Sequence, residues 1–193
     1  MEADPEQLSE AAEITGQVID AISTAQWTFP TPCPDWNVRE LVEHLVAGND
    51  GFAAALSEQL VPPDPTAGRS ADLASDYRRS VHELLDAFRQ PGALDRAVSV
   101  PFGTVPGAVA VHLRTTELLV HGWDLARATG REVAFPAELA EQELAFTRSA
   151  LGGIPPERKP FAPPEPVPDD APAIDRLAAC LGRSVTILPT KPG

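Results

Sequence analysis

The stretch Glu117-Leu-Leu-Val-His121-Gly-Trp-Asp124-Leu-Ala-Arg127-Ala-Thr-Gly130 decides how this chain folds. Its apolar residues cover most of a helix surface, so we expect a buried helix that ends at the final glycine of the stretch. Glu117 and His121 are four residues apart and therefore lie on one face of that helix. Asp124 and Arg127 continue the same stripe in steps of three.

Charged side chains on a buried helix are costly unless they are paired or bound to a metal. One interpretation makes Glu117 and His121 half of a metal site. The other is a salt-bridged helix, in which Arg127 neutralises Asp124 while His121 hydrogen-bonds a neighbour. The spacing alone leaves both interpretations open.

Composition limits the partners that this chain can have. The chain has 193 residues, 43% of them hydrophobic, which is enough for a single domain over residues 1–193 with its own core. Its formal net charge of −13 argues against nucleic acid or an anionic membrane as a partner. The acidic amino terminus lacks the apolar segment of a signal peptide, and two cysteines cannot form a disulfide framework. We therefore expect a cytoplasmic protein.

Helical periodicity dominates the chain and predicts an all-α protein. Strand-like alternation is confined to residues 98–100 and 185–188, and residues 152–171 form a proline-rich strap within the domain. The predicted helices span residues 5–27, about 37–60, 72–90, 106–130, 136–151 and 172–181.

The second predicted helix carries another candidate metal ligand, a histidine. Asn37 and Glu40 have the spacing of a capping box, and His44 follows one turn later among apolar residues. If Glu40 closes the cap, His44 is the only ligand that this helix can offer. Gly48 and Gly51 cost helix stability, which indicates either close approach of the Glu117 helix or a kink.

His44, Glu117 and His121 together would make an open site for a divalent metal. Imidazole and carboxylate ligands suit Zn²⁺ first and another first-row ion such as Ni²⁺ second. A thiol or a water bound there would lose its proton at neutral pH and become a nucleophile. Asp124 is expected to orient a ligand ring or a bound water, and Arg127 to pair with Asp124 or to hold an anionic substrate.

The other histidines and the two cysteines are predicted to lie outside this chemistry. His82 has charged neighbours and is expected at the surface, and His112 is expected to point away from His121. Cys33 lies among prolines and Cys180 in a terminal helix, so both are interpreted as inert buried thiols.

Two long motifs resemble a known family. They are Thr31-Pro-Cys-Pro-Asp-Trp-Asn-Val-Arg-Glu-Leu-Val-Glu-His44 and the stretch from Glu117 to Gly130. Together they resemble the actinobacterial mycothiol-dependent maleylpyruvate isomerase-like family of the DinB-like metal-binding superfamily, and residues 166–177 resemble the tail of its small metal-binding subfamily. The resemblance implies an antiparallel four-helix bundle with one long crossover and extra short carboxy-terminal helices. It also implies His44, Glu117 and His121 as the metal ligands.

The same resemblance implies a function. Enzymes of this superfamily use a low-molecular-weight thiol, mycothiol or bacillithiol, activated as a metal thiolate. The chain therefore resembles a mycothiol-dependent S-transferase acting on small electrophiles. Maleylpyruvate isomerases of this type carry a further carboxy-terminal domain, which this chain lacks at Gly193, so we expect thiol transfer rather than the isomerase reaction itself. Members are often dimers, so a homodimer is a further expectation.

A second hypothesis is a non-catalytic metal-binding or interaction protein of the same fold. It predicts a narrow cavity and a fourth protein ligand, either Asp124 or Glu40, whereas the transferase predicts an open pocket beside His44. A hydrolase using metal-bound water is a third hypothesis, and it has little support because no additional general base is evident.

Overall fold

The computed structural model describes residues 3–57, 72–100, 103–152 and 161–185 and is predominantly helical. Its contacts divide the chain into two units, Met1–Phe135 and Pro136–Gly193. The expectation of one domain over residues 1–193 stays a prediction. Across the described ranges, no helix is long and apolar enough to cross a membrane.

Among the described residues, the first unit contains four long helices and the second contains two α-helices. In the first unit these are α1 (Pro5–Asp20), α2 (Val38–Leu56), α3 (Leu73–Phe88) and α4 (Gly107–Thr129), with a hairpin of β1 (Ala97–Val100) and β2 (Gly103–Pro106) before α4. The second unit has α5 (Ala137–Gly152) and α6 (Ala173–Cys180). The all-α prediction is confirmed. The strand expected at 98–100 lies in β1, and the one at 185–188 lies mostly outside the described residues.

Helices α1 and α3 run in opposite directions. Near the start of α1, Glu6 pairs with Arg89 just beyond the end of α3 at 2.9 Å. In the middle of α1, the carbonyl of Ala12 accepts a hydrogen bond of 3.0 Å from the hydroxyl of Tyr77, early in α3. Residue numbers therefore increase along α1 as those of the contacting residues of α3 decrease, which is the pattern of antiparallel helices.

Helices α2 and α4 are also antiparallel. His44 faces Glu117, and one turn further along α2 Gly48 faces Arg114, one turn earlier on α4. Helices α2 and α3 pack together as well, and so do α1 and α4.

Helices α1 and α4 run in the same direction, because Thr15 on α1 contacts Leu118 on α4, and Gln26 beyond the end of α1 contacts Thr129 at the end of α4. The bundle therefore contains the antiparallel pairs α1–α3 and α2–α4, and the long crossover expected between α2 and α3 lies mostly outside the described residues. Of the two interpretations of the glycines, close approach of another helix holds at Gly48, whereas nothing lies within 4 Å of a Cβ atom added at Gly51.

The first helix ends earlier than the sequence predicts. It stops at Asp20, and a separate 3₁₀ turn covers Thr24–Thr28. Ser23 starts this turn because its backbone N–H donates to the side chain of Gln26 at 2.9 Å. A side chain that bonds the backbone N–H of Ser23 takes the place of the next helical hydrogen bond, which explains the break. The fourth helix agrees with its prediction, since Gly130 caps it in a left-handed conformation with φ of 68°.

A chain of buried hydrogen bonds connects all four helices of the bundle. Tyr77 on α3 donates to Ala12 on α1, and Ser80 donates to the carbonyl of Tyr77 at 2.8 Å. Asn49 on α2 donates to Ser80 at 2.9 Å and accepts from Arg114 on α4 at 2.8 Å. The side chains of Asn49, Ser80 and Arg114 are fully buried. Because each of these three side chains has a hydrogen-bond partner inside the bundle, the network fixes the relative positions of the helices.

The contact between α1 and α4 generates a test of the packing. A Cβ atom at Gly122 would lie 2.5 Å from the hydroxyl of Thr15, which already donates to the carbonyl of Leu118 at 2.8 Å. We expect Gly122→Ala to lower the free energy of unfolding by about 1–3 kcal/mol, because the packed helices must separate. The measurement is urea-induced unfolding followed by circular dichroism.

Gly51→Ala is the matched control for this substitution. Gly51 lies in α2 with open space around its Cα, so alanine should raise the free energy of unfolding by about 0.5–1 kcal/mol through helix propensity. Equal shifts in the two variants would contradict a tight contact at Gly122.

Candidate metal centre

The three predicted ligands lie where α2 and α4 meet. Asn37 begins α2 with a complete capping box, in which its side chain accepts from the N–H of Glu40 at 3.0 Å and the Glu40 carboxylate accepts from the N–H of Asn37 at 2.9 Å. The cap therefore occupies Glu40. This leaves His44 as the side chain that α2 presents to Glu117 and His121.

Their geometry brings the three side chains together at the edge of the bundle. His44 Nε2 lies 4.0 Å from Glu117 Oε1, and the rings of His44 and His121 are 5.2 Å apart and nearly perpendicular. The donors of a tetrahedral site with bonds of about 2.1 Å lie roughly 3.4 Å apart, so side-chain adjustment would be needed to bind an ion. About a third of the side chain is exposed in His44 (30%) and in Glu117 (35%), which gives the centre access to solvent.

Trp36 covers one face of the centre. Its ring stacks on His44 at 4.1 Å with an interplanar angle of 21°, and it meets the edge of His121 at 5.8 Å. Burial lowers the pKa of His44 to about 4, with help from the charges of His121 and Arg114 and against the opposing charge of Glu117. His44 is therefore a neutral imidazole at pH 7 and has a lone pair to offer a metal.

Arg114 is a residue of the candidate centre that the sequence pattern did not indicate. Its fully buried guanidinium donates to Glu117 Oε2 at 2.6 Å, to Asn49 at 2.8 Å and to the carbonyl of Leu45 at 2.7 Å. A Cβ atom on Gly48 would lie only 2.4 Å from this guanidinium, so the glycine makes room for it. The available signal was the spacing of three residues between Arg114 and Glu117 on one helix.

The charge of Arg114 controls the state of Glu117. Burial alone would raise the pKa of this carboxyl, but Arg114, His121 and His44 act against burial and hold the pKa below its ordinary value. Glu117 is therefore ionised at neutral pH. One oxygen is held by Arg114 and the other faces His44.

Asp124 lies beside His121 as the sequence predicts. The carboxylate of Asp124 is fully buried, and its Oδ2 lies 3.0 Å from His121 Nδ1. An ionised carboxylate can only accept a hydrogen bond, so this contact places the proton of the neutral ring on Nδ1. The other ring nitrogen, Nε2, then carries the lone pair that a metal needs.

Cys33 also belongs to this neighbourhood, which the sequence analysis did not predict. Its Sγ, a ring nitrogen of His121 and a carboxylate oxygen of Asp124 all lie within 4.8 Å of one another. Within the described ranges, no other three residues bring metal-binding donor atoms this close together. Of the three predicted ligands, this group contains only His121. The burial predicted for Cys33 is confirmed, whereas Cys180 on α6 is only partly buried. No periodicity relates a proline-flanked loop to a helix face, so the pattern gave no signal for this position.

Arg127 lies in a different setting from Asp124. It is exposed, and its guanidinium lies over the ring of Trp123 at 5.0 Å from the centroid. With Ala128 and the segment 29–32, it lines a groove of 420 Å³. His82, predicted at the surface, has 77% of its side chain exposed and pairs with Asp86 at 3.3 Å. His112 is buried in α4.

Relatives of this chain can be recognised by sequence. A family model described as the mycothiol maleylpyruvate isomerase N-terminal domain matches residues 8–126. Two uncharacterized proteins of Mycobacterium tuberculosis, MT0763 of strain CDC 1551 / Oshkosh and Rv0738 of strain ATCC 25618 / H37Rv, are each 38% identical to it over 159 residues. That alignment covers 81% of this chain and 84% of each relative.

Two solved structures share the fold. The crystal structure of the mycothiol-dependent maleylpyruvate isomerase is similar with a TM-score of 0.54 and 21% identity, over 72% of this chain and 67% of that one. A DinB-like protein of Bacillus subtilis, yjoA, is similar with a TM-score of 0.55 and 17% identity, over 68% of this chain and 95% of that one. The bundle is thus of the DinB-like kind, and the chain belongs to the mycothiol maleylpyruvate isomerase N-terminal domain family.

Proposed function

We propose that this protein binds a divalent metal ion through His44, Glu117 and His121 and uses it to activate a low-molecular-weight thiol for transfer to a small electrophile. The observation that carries the proposal is the meeting of these three side chains at the contact of α2 and α4, with exposed edges on His44 and Glu117. The name of the family supports mycothiol as the thiol. Zn²⁺ is the first candidate for the metal and Ni²⁺ the second.

Each side chain has a defined part in this proposal. His44 offers a neutral imidazole, Glu117 offers the carboxylate oxygen that Arg114 leaves available, and His121 offers Nε2 because Asp124 holds Nδ1. A divalent ion bound there would lower the pKa of a thiol and supply a nucleophile at neutral pH. Trp36 restricts the ring of His44 and shields it on one side.

In this proposal, the groove lined by Arg127 binds the electrophile. The guanidinium is exposed and lines the groove together with residues 29–32, which lead directly into the loop of Cys33. A permanently charged group at such a place would attract an anionic substrate.

One observation favours the alternative of a non-catalytic metal-binding protein. Asp124 lies close enough to His121 to act as a further ligand, and a fourth protein ligand would close the site to substrates. Glu40 has no such role, since its carboxylate belongs to the cap of α2.

Metal content is the first test of the proposed site. Wild-type protein purified without chelator or affinity metal should contain about one equivalent of zinc or nickel, because the proposed site offers three ligands to one ion. His121→Ala should lose it, whereas His82→Ala should keep it, since His82 is an exposed histidine on α3. Elemental analysis decides. A wild type without metal, even after incubation with Zn²⁺, would disprove the site.

The contact between Asp124 and His121 makes a second prediction. Asp124→Asn should weaken metal binding roughly 10–100-fold, because the amide no longer fixes the ring tautomer or raises its basicity. Competition with a chromophoric chelator measures the affinity. Asp86→Asn is the matched control, because it removes the carboxylate partner of the surface histidine His82. Unchanged affinity in Asp124→Asn would rule out a supporting role.

Thiol transfer is the third test, and it separates the two functions. With reduced mycothiol and a chromogenic electrophile, metal-loaded protein should accelerate conjugation above the rate without protein. Treatment with chelator should remove the acceleration, Zn²⁺ should restore it, and Glu117→Gln should lack it. A metal-loaded protein that gives only the background rate with a panel of anionic and neutral electrophiles would favour the non-catalytic alternative.

A further inference from the structure

We propose that Cys33, His121 and Asp124 form a second, thiolate-containing ligand set for a soft or borderline divalent cation. The inference goes beyond the proposed function, because the two ligand sets share His121 but Cys33 belongs only to this one. Its basis is the position of three buried donors of different chemistry within 4.8 Å of one another.

The loop that carries Cys33 is fixed by the fold. The hydroxyl of Thr31 donates to the carbonyl of Trp36 at 2.7 Å and lies 2.8 Å from the carbonyl oxygen of Cys33. The same hydroxyl accepts a hydrogen bond from the N–H of Cys33 at 3.2 Å. The N–H of Trp36 donates to the carbonyl of Cys33 at 3.2 Å, and Val38 at the start of α2 donates to Phe29 at 3.0 Å. Both ends of the loop are therefore tied to the start of α2, so Cys33 is presented to α4 by a constrained backbone.

The other two donors come from a single helix. His121 and Asp124 are three residues apart on α4 and already share a contact of 3.0 Å. Side-chain rotations can bring donors that lie within 4.8 Å of one another to the roughly 3.4–3.8 Å that separates the donors of a zinc ion bound by nitrogen, oxygen and sulfur. In this set Asp124 exchanges its hydrogen bond for coordination.

Charge favours a cation at this second set. A bound thiolate and the carboxylate of Asp124 bring two negative charges, which balance a divalent ion after the thiol of Cys33 releases its proton. The set of His44, Glu117 and His121 brings one negative charge, and Arg114 already pairs with it at 2.6 Å. Sulfur also selects for zinc and cadmium over harder ions.

Cobalt(II) substitution tests the proposal with a signal that only sulfur gives. Demetallated, reduced protein is titrated with Co²⁺, and the thiolate-to-cobalt charge-transfer absorption in the near ultraviolet is recorded with the ligand-field bands in the visible. Wild type should show the charge-transfer absorption, and so should His44→Ala and Glu117→Gln. Cys33→Ser should lose it. Cys180→Ser is the matched control and should keep it, because Cys180 lies on α6 in the other unit.

The outcomes separate this proposal from the proposed function. Cobalt bound to wild type without charge-transfer absorption, or absorption that survives in Cys33→Ser, overturns the second ligand set and leaves the first intact. Absorption that disappears in His44→Ala as well as in Cys33→Ser overturns it too, because a separate set does not need His44. A circular dichroism melt of each variant excludes loss of signal through unfolding, and absence of cobalt binding in every protein overturns both proposals.

Discussion

The bundle depends on one buried cation and the hydrogen bonds that satisfy it. Arg114 has no exposed surface, and desolvating a guanidinium is costly unless its donors and its charge are both satisfied. Its guanidinium donates hydrogen bonds to Glu117 on its own helix and to Leu45 and Asn49 on α2. Through Asn49 the network continues to Ser80 on α3. The same group that holds α2 against α4 therefore also orients the carboxylate of the candidate metal centre.

Helical periodicity and local capping made much of the fold predictable. The capping box at Asn37 and the glycine cap at Gly130 need only neighbours in sequence, and the structure has both. The predicted end of the first helix was wrong because Ser23 and Gln26 start a separate 3₁₀ turn, which the spacing of apolar residues does not indicate. Boundaries depend on such single bonds, whereas the apolar faces of long helices repeat over many residues.

The candidate site was only partly predictable for the same reason. Glu117, His121 and Asp124 share one helix, so their spacing was enough to group them. Arg114 shares that helix too, but its direction depends on Gly48 of another helix. Cys33 approaches His121 through a loop with no periodicity, and only the tertiary structure shows it there. The salt bridge expected between Arg127 and Asp124 stays a prediction, whereas the ion pair of the buried Arg114 with Glu117 on the same helix was not predicted.

Because Gly48 leaves space for the guanidinium of Arg114, the sequence pattern of the candidate centre includes more residues than the proposed ligands. Because a side chain at position 48 would overlap the guanidinium of Arg114, these two positions form one shared volume. If a related chain keeps the ligands but has a larger residue at position 48, the side chain at position 114 must be shorter or point elsewhere. The carboxylate at position 117 then loses the arginine that holds it. The pattern to search for is thus a histidine followed four residues later by glycine, together with arginine, glutamate, histidine and aspartate at the spacing of Arg114, Glu117, His121 and Asp124.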